Sequence, residues 1–133
     1  MKAFSLKIVT PDALIYDGMA TSLLVRTGSG DVEILAGHAD LIASVAPGRV
    51  RIRTEEGERT AAASGGFLSV QEGVVSLVAT TFEYSESIDL ARAEAARDKA
   101  QGDIESQRSD ADIDHLRAKL QRALARIRVA SER

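Results

Sequence analysis

The sequence predicts a fold of two parts: an all-β N-terminal sandwich of about ten short strands, followed by an α-helical antiparallel hairpin. Within residues 1–82, apolar and polar residues alternate along short segments, and dipeptides that favour turns recur between the segments. After residue 87, alanine and charged residues replace β-branched residues and glycine. We therefore divide the chain into a β-sandwich domain over residues 1–84 and a helix–loop–helix domain over residues 85–133.

The strands are predicted from alternation, which is clearest in FSLKI (residues 4–8) and RVRIRT (residues 49–54). Strict alternation places one face of a strand on a core and the other in water. Further strands are predicted over residues 13–16, 20–26, 32–35, 41–46, 59–63, 67–71 and 74–79. Turns are predicted at Asp17-Gly18, Gly28-Ser29-Gly30, Pro47-Gly48, Glu56-Gly57, Gly65-Gly66 and Glu72-Gly73.

Residues 88–129 predict two helices, because alanine dominates residues 91–100 and apolar residues then recur at helical spacing. The predicted stripes are Leu90, Ala93, Ala96, Ala100 and Ile104 in the first helix, and Ile113, Leu116, Leu120, Ala123, Leu124 and Ile127 in the second. Asp110 or Asp112 is expected to cap the second helix. Alanine buries little apolar area. The hairpin should therefore be marginal alone and be held by the sandwich or by another protein.

Composition argues against several classes of protein. The chain has no cysteine, which excludes disulfides, thiolate metal sites and thiol catalysis. The N-terminal segment lacks the apolar core of a signal peptide, and no stretch reaches the roughly 18 apolar residues of a membrane span. We expect a soluble chain that can still dock on a membrane complex.

Enzymatic chemistry finds little support in the sequence. His38 and His115 are its 2 histidines, and neither has the nucleophile and orienting partner that catalysis needs. Asp112 and His115 have helical i,i+3 spacing, but a zinc site needs three or four ligands. The glycine-bearing turns lack the Gly-Lys-Ser/Thr ending of a phosphate-binding loop.

Charge is unevenly distributed along the chain. Residues 83–114 hold ten acids and four bases, whereas residues 116–133 hold six bases and one acid. Nucleic acid is not an expected partner, because the net charge is -3 and the basic helix has no aromatic side chains for base stacking. Two interpretations of the basic helix remain open: a solvated face that complements the helix dipole, or a contact with an acidic protein surface.

The segment IDLARA (residues 88–93) begins the first helix and also has two interpretations. Ser87 or Asp89 can cap the helix, and Arg92 lies three residues after Asp89 on the same face. Alternatively, Arg92 binds a phosphate and Asp89 binds a sugar hydroxyl or an adenine amine.

Four segments, in order, resemble the epsilon subunit of the F-type ATP synthase. They are GHADL (residues 37–41), PGRVRI (47–52), SGGFLSVQEGVVSLVA (64–79) and IDLARAEAARDKA (88–100). The chain departs from the family pattern at Ala36 and Asp40, where prolines are usual, and at Glu33, where glycine is common. The resemblance spans the chain from end to end and implies a ten-stranded sandwich with a C-terminal helix–loop–helix.

The resemblance also implies function. The subunit is non-catalytic, belongs to the central stalk, binds the gamma subunit and touches the c-ring, so that ion flow is coupled to rotation. It lies on the cytoplasmic side of a bacterial inner or plasma membrane, peripheral to it through the complex. Asp31 matches the acidic position that faces the c-ring, and His38 falls in the region against gamma.

The hairpin of the family folds against the sandwich or extends beside gamma, where it restrains ATP hydrolysis. Its basic residues here suit the acidic segment of the beta subunit: Arg117, Lys119, Arg122, Arg126 and Arg128. No cofactor is required, but some bacterial members bind ATP in the folded state. Matching positions here are Glu83, Ile88, Asp89, Arg92 and Ala93, with Arg122 or Arg126 from the second helix. An ATP-sensing regulatory module is therefore the alternative function.

Overall fold

The computed structural model describes residues 2–106 and 110–133. Its strands are β1 (Phe4–Val9), β2 (Leu14–Ala20), β3 (Ser22–Thr27), β4 (Gly30–Ile34), β5 (Leu41–Thr54), β6 (Gly57–Ser64), β7 (Phe67–Gln71), β8 (Val74–Val78) and β9 (Thr81–Tyr84). A 3₁₀ turn at Ser85–Ser87 leads to helices α1 (Leu90–Ser106) and α2 (Asp110–Ser131). A β-sandwich followed by two contacting helices confirms the predicted fold class.

The strands form two sheets that share β5. The first sheet has the order β2-β1-β8-β7-β5, and the second has the order β9-β6-β5-β3-β4. Strands β1 and β8 pair in parallel, whereas the other pairs are antiparallel. Because β1 and β8 lie side by side, the connections that follow them also meet at one end of the first sheet.

Strand β5 passes from one sheet to the other within residues 44–48, where Ser44 still pairs with β7 but Val45 already pairs with Thr27 of β3, and Pro47 lies in this segment. Leu41–Ser44 pairs with β7 in the first sheet, and Gly48–Thr54 pairs with β6 in the second. Proline has no N–H to donate to a ladder, so it fits the point where β5 changes partners. The predicted turn at Pro47-Gly48 is therefore wrong, because the two predicted strands on either side form one bent strand.

Two other strand predictions need correction. Asp17-Gly18 lies inside β2, where the two residues pair with Lys7 and Leu6, so this turn prediction is also wrong. Strand β9 was missed because no glycine or proline separates it from β8. It forms the edge of the second sheet by pairing with β6. The structure thus has nine strands in its described residues rather than about ten.

The main core lies between the two sheets. Alternate residues of β1 are buried, as the sequence alternation predicted. The buried apolar residues of this core are Phe4, Leu6, Ile8, Ala20, Leu23, Val25, Ile34, Val45, Val50, Ile52, Ala61, Ala63, Leu68, Val70, Val75, Leu77 and Ala79. Because they come from both sheets, the sandwich is held together without the helices.

The hairpin packs on the outer face of the second sheet through α2, which contacts β5 and β6, while α1 packs on α2. Ala93, Ala100, Leu116 and Ala123 of the predicted stripes are buried. Leu124 is 37% exposed, because the seam with α1 and the sheet is narrower than the apolar stripe. Asp112 lies inside α2 rather than at its cap, and the side chain of Asp110 falls outside the described residues.

A second, smaller apolar cluster joins the hairpin to the sandwich. Ala62 of β6 contacts Ile88, Val129 and Ala130, with Leu90 packed against them. This cluster is separate from the main core. The hairpin is therefore attached through a small apolar area. Within the described residues, neither helix is long and apolar enough to cross a membrane.

Replacing Gly66 by alanine is expected to destabilise the sandwich by about 2–5 kcal/mol, through a strained left-handed backbone and overpacking together. A Cβ at Gly66 (φ +82°) would lie 1.8 Å from the carbonyl oxygen of Val78. Gly73→Ala is the matched control, because Gly73 has φ +81° and an added Cβ meets no atom within 4 Å. The control should cost about 1–2 kcal/mol. Urea unfolding measures both losses, and equal losses would contradict a specific clash at Gly66.

Candidate nucleotide site and partner surfaces

An open cleft of about 440 Å³ lies where the hairpin meets the sandwich. Its lining comes from the β1–β2 connection, the start of β9, the first turns of α1 and one residue of α2: Thr10, Asp12, Thr80, Thr81, Phe82, Glu83, Asp89, Arg92, Ala93, Ala96 and Arg126. The cleft exists because β1 and β8 pair in parallel, with the Ala79 N–H donating to the Val9 carbonyl at 3.0 Å. Sandwich and hairpin residues therefore share one site.

The structure brings five of the seven predicted nucleotide residues to this cleft: Glu83, Asp89, Arg92, Ala93 and Arg126. The other two lie beside it. Ile88 is only 3% exposed and packs in the small apolar cluster. Arg122 lines a much smaller neighbouring cavity between α2 and β6.

Asp89 is the N-cap of α1. Its Oδ1 accepts a hydrogen bond from the Arg92 N–H at 3.1 Å, and the helix begins at Leu90. This bond satisfies one of the amides that a helix N-terminus leaves without a partner. The contact between these two residues thus runs through the backbone of Arg92, and the guanidinium of Arg92 takes part in no ion pair with the other described residues.

Arg126 has a carboxylate partner in the same cleft. Its Nε lies 3.4 Å from Glu83 Oε1, and the two side chains are 33% and 39% exposed. Solvent weakens such a pair. The cleft therefore holds two guanidinium groups, one without a partner among the described residues and one shared with a sandwich carboxylate that an anionic ligand could replace.

The chain that enters α1 is anchored to the sandwich by Arg59. Its guanidinium lies 3.5 Å from the centroid of the Tyr84 ring and pairs with the Glu86 carboxylate. Burial raises the pKa of the Tyr84 phenol, and the hydrogen bond from Arg59 lowers the pKa of the Glu86 carboxyl. Sequence reasoning missed this cluster, because Arg59 lies 27 residues before Glu86.

Sequence reasoning also missed the cleft residues Thr10, Asp12, Thr80, Thr81 and Phe82. No local pattern marks them, because two distant connections meet only through the parallel β1–β8 pair. In the described residues, no group of three or more His, Asp or Glu side chains could hold a metal ion.

The positions expected to contact gamma and the c-ring lie apart, Asp31 near the start of β4 and His38 in the connection after it. Asp31 follows the β3–β4 turn and lies 3.4 Å from Arg26, with both side chains about half exposed. His38 lies in the β4–β5 connection, where its Nδ1 donates to the Ala39 carbonyl at 2.7 Å. Asp40 fixes this connection by accepting a hydrogen bond from the Glu72 N–H at 3.0 Å.

The basic residues of α2 do not form one exposed face. Arg117 and Lys119 are exposed. Arg122 and Arg126 are half-buried toward the sandwich, where they line cavities beside β6 and β9. Arg128 is exposed and lies 3.3 Å from Glu132 on the same helix. The docked hairpin therefore presents only part of the predicted basic surface.

A β-sandwich that carries a docked helical hairpin defines a two-domain class of subunit, and the comparisons identify it. The protein family described as "ATP synthase, Delta/Epsilon chain, beta-sandwich domain" matches residues 3–85. The family described as "ATP synthase, Delta/Epsilon chain, long alpha-helix domain" matches residues 86–131. Together these two matches span nearly the whole chain.

Curated relatives agree with these matches. The ATP synthase epsilon chain of Ruminococcus albus is 36% identical over 100% of both chains. That of Bacillus velezensis is 40% identical over 98% of both. That of Bacillus subtilis is 42% identical over 85% of this chain and 86% of its own.

Solved structures share the fold. A chain of the Euglena gracilis mitochondrial ATP synthase has a TM-score of 0.84 at 24% identity, covering 98% of this chain and 82% of that one. A chain of the Tetrahymena thermophila mitochondrial ATP synthase central stalk and c-ring has a TM-score of 0.73 at 12% identity, covering 95% of each.

The chain thus belongs to the ATP synthase epsilon chain family. It is accordingly a non-catalytic subunit of the F-type ATP synthase, from the central stalk.

Asp89→Ala is expected to destabilise the start of α1 by about 0.5–2 kcal/mol, because it removes the cap on the Arg92 amide. Asp89→Ser should retain most of this stability, because serine also caps. Hydrogen exchange of the first-turn amides of α1 measures the effect. Asp98→Ala is the control, since Asp98 lies mid-helix and, among the described residues, pairs with the adjacent Arg97 alone. Equal exchange in the alanine and serine variants at position 89 would contradict the capping role.

Proposed function

We propose that this epsilon chain couples ion flow to ATP synthesis through its sandwich and restrains ATP hydrolysis through its hairpin. ATP acts as a regulatory ligand that holds the hairpin against the sandwich. The observation that carries the regulatory part is the cleft, where Glu83 of the sandwich, Arg92 of α1 and Arg126 of α2 meet.

The chemistry of the cleft suits a nucleotide. Guanidinium groups bind phosphate oxygens in charge-assisted, often bidentate hydrogen bonds, which Arg92 and Arg126 can supply. The carboxylate oxygen of Asp89 that does not cap α1 can accept from a sugar hydroxyl or an adenine amine. A cavity of about 440 Å³ lies within the usual range for small-molecule sites.

Binding at this position would stabilise the docked hairpin. A ligand that binds only the docked state stabilises it by about 2.7 kcal/mol at 100 times its dissociation constant. Because the cleft takes residues from β9, α1 and α2, undocking would separate the groups that hold the ligand. The small apolar attachment leaves the docked state weak enough for such a ligand to matter.

Undocking would also complete the basic surface of α2. Arg117, Lys119 and Arg128 are exposed in the docked hairpin, but Arg122 and Arg126 face the sandwich. We propose that all five contact the acidic segment of the beta subunit after the hairpin extends beside gamma. Salt should weaken this contact, because it joins exposed charges.

The outer face of the first sheet is the proposed contact with gamma. Ile42 is 70%, Val74 52% and Phe67 45% exposed on the neighbouring strands β5, β8 and β7. Exposed apolar residues on one sheet face are typical of protein interfaces. His38 lies in the connection that leads into this face, and Asp31 is the proposed contact with the c-ring. These contacts would hold the chain peripheral to a bacterial membrane, on its cytoplasmic side.

Calorimetry with ATP tests the regulatory site. Arg92→Ala and Arg126→Ala should each weaken binding about tenfold or more, the loss expected for a hydrogen bond to a charged group. Arg97→Ala is the control, because Arg97 lies on α1 outside the cleft. Equal affinity in all three variants would contradict the site, and a dissociation constant above any cellular ATP concentration would remove its regulatory role.

Deleting residues 88–133 should raise ATP hydrolysis by the assembled complex, because the restraining hairpin is gone. Assembly should persist, because the main core and the proposed gamma and c-ring contacts all lie in the sandwich. Co-purification with gamma and the hydrolysis rate are measured together. Loss of assembly would contradict this division of roles between the two domains.

A further inference from the structure

Three sandwich residues under α2 form one cross-strand row. Ala62 of β6 pairs with Arg49 of β5 on one side and with Glu83 of β9 on the other. The row therefore presents a cation, a small apolar side chain and an anion on the outer face of the second sheet.

The last turns of α2 lie across this row with complementary groups. Glu132 Oε2 lies 3.1 Å from Arg49 Nη1, and Arg126 Nε lies 3.4 Å from Glu83 Oε1. Val129 and Ala130 are buried against Ala62 between the two ion pairs. Reversing α2 would place like charges together at both ends, so the row fixes the direction of the helix.

Arg133 ties the end of α2 to the start of α1. Its Nη1 donates hydrogen bonds to the carbonyls of Ser85 at 2.6 Å and Ile88 at 2.8 Å. Both carbonyls lie in the linker, whose residues Ser85 and Ile88 are buried. Ile88 directly precedes Asp89, the N-cap of α1, so the guanidinium holds the backbone from which the cleft residues project.

We propose that residues 129–133 form a latch that keeps the hairpin docked, and that Arg133 is its main polar contact. A charged donor makes a stronger hydrogen bond to a carbonyl than a neutral donor does, and the exposed Arg133 makes two such bonds to the buried residues Ser85 and Ile88. The Arg49–Glu132 pair is partly exposed and contributes less. The latch lies outside the cleft, so the docked state is held at two separate places.

We also infer that the latch supports ATP binding, and this part rests on the proposed nucleotide site. Arg133 acts there as a positioning residue for Asp89 and Arg92, because releasing Ile88 frees the backbone that carries both. Losing the latch should weaken ATP binding although every residue that lines the cleft is retained. Measuring how far the hairpin undocks without nucleotide tests the latch alone.

Distance measurement on the isolated full chain tests the latch. The chain has no cysteine, so Glu55→Cys on the sandwich and Gln101→Cys on α1, both exposed, give unique label sites. Arg133→Gln should raise the ratio of undocked to docked hairpin about tenfold without nucleotide. Arg53→Ala is the matched control, because Arg53 is on the same strand as Arg49 but pairs with Glu58. It should leave the ratio unchanged.

A double-mutant cycle separates the ion pair from other effects. Arg49→Ala and Glu132→Ala should each raise the undocked fraction about two- to fivefold, and the double variant should raise it less than their product. Additive effects would overturn the role of this pair. An unchanged distance in Arg133→Gln would overturn the latch.

Titration with ATP completes the test. In Arg133→Gln the dissociation constant for ATP should rise by the factor calculated from the measured increase in the undocked fraction. In Arg53→Ala it should equal that of the parent chain. If the labelled parent binds no ATP, the proposed nucleotide site fails, but the distance without nucleotide still decides the latch. An undocked Arg133→Gln hairpin with normal ATP affinity would overturn the positioning role.

Discussion

The sharing of β5 between the two sheets is the constraint on which the rest of the structure depends. A strand that belongs to both sheets fixes their relative placement, and Pro47, which cannot donate to either ladder, lies in the segment where the transfer occurs. The half of β5 in the second sheet then presents Arg49 beside Ala62, which is where α2 docks. The fold of the sandwich alone therefore forms the surface on which the hairpin docks.

The hairpin combines weak and specific attachment. Its apolar contact with the sandwich is small, so hydrophobic burial alone would hold it in several registers. Opposite charges at the two ends of the contact remove that degeneracy while adding little net stability, because they are partly exposed. Such a combination suits an element that must return to one docked position after leaving it.

The local sequence pattern correctly predicted features that depend on neighbouring residues, such as the type of an element and its buried face. Alternation in residues 49–54 and the helical spacing of Ala93 and Leu116 gave the correct elements and buried faces. Turn chemistry failed at Asp17-Gly18, because pairing along the full length of β1 outweighed the local preference of that dipeptide.

The residues of the candidate site likewise fall into those that a local motif predicts and those that only long-range pairing brings in. Asp89 and Arg92 lie together in one motif and could be assigned, whereas Asp12 meets them only through the long-range pairing of β1 with β8. That parallel pair also bears on folding. Phe4–Val9 pairs locally with Leu14–Ala20, but its other edge cannot pair until Val74–Val78 has left the ribosome, so most of the chain must emerge first. Such distant pairing makes closure of the sandwich slow and leaves one edge of the first strand unpaired during synthesis.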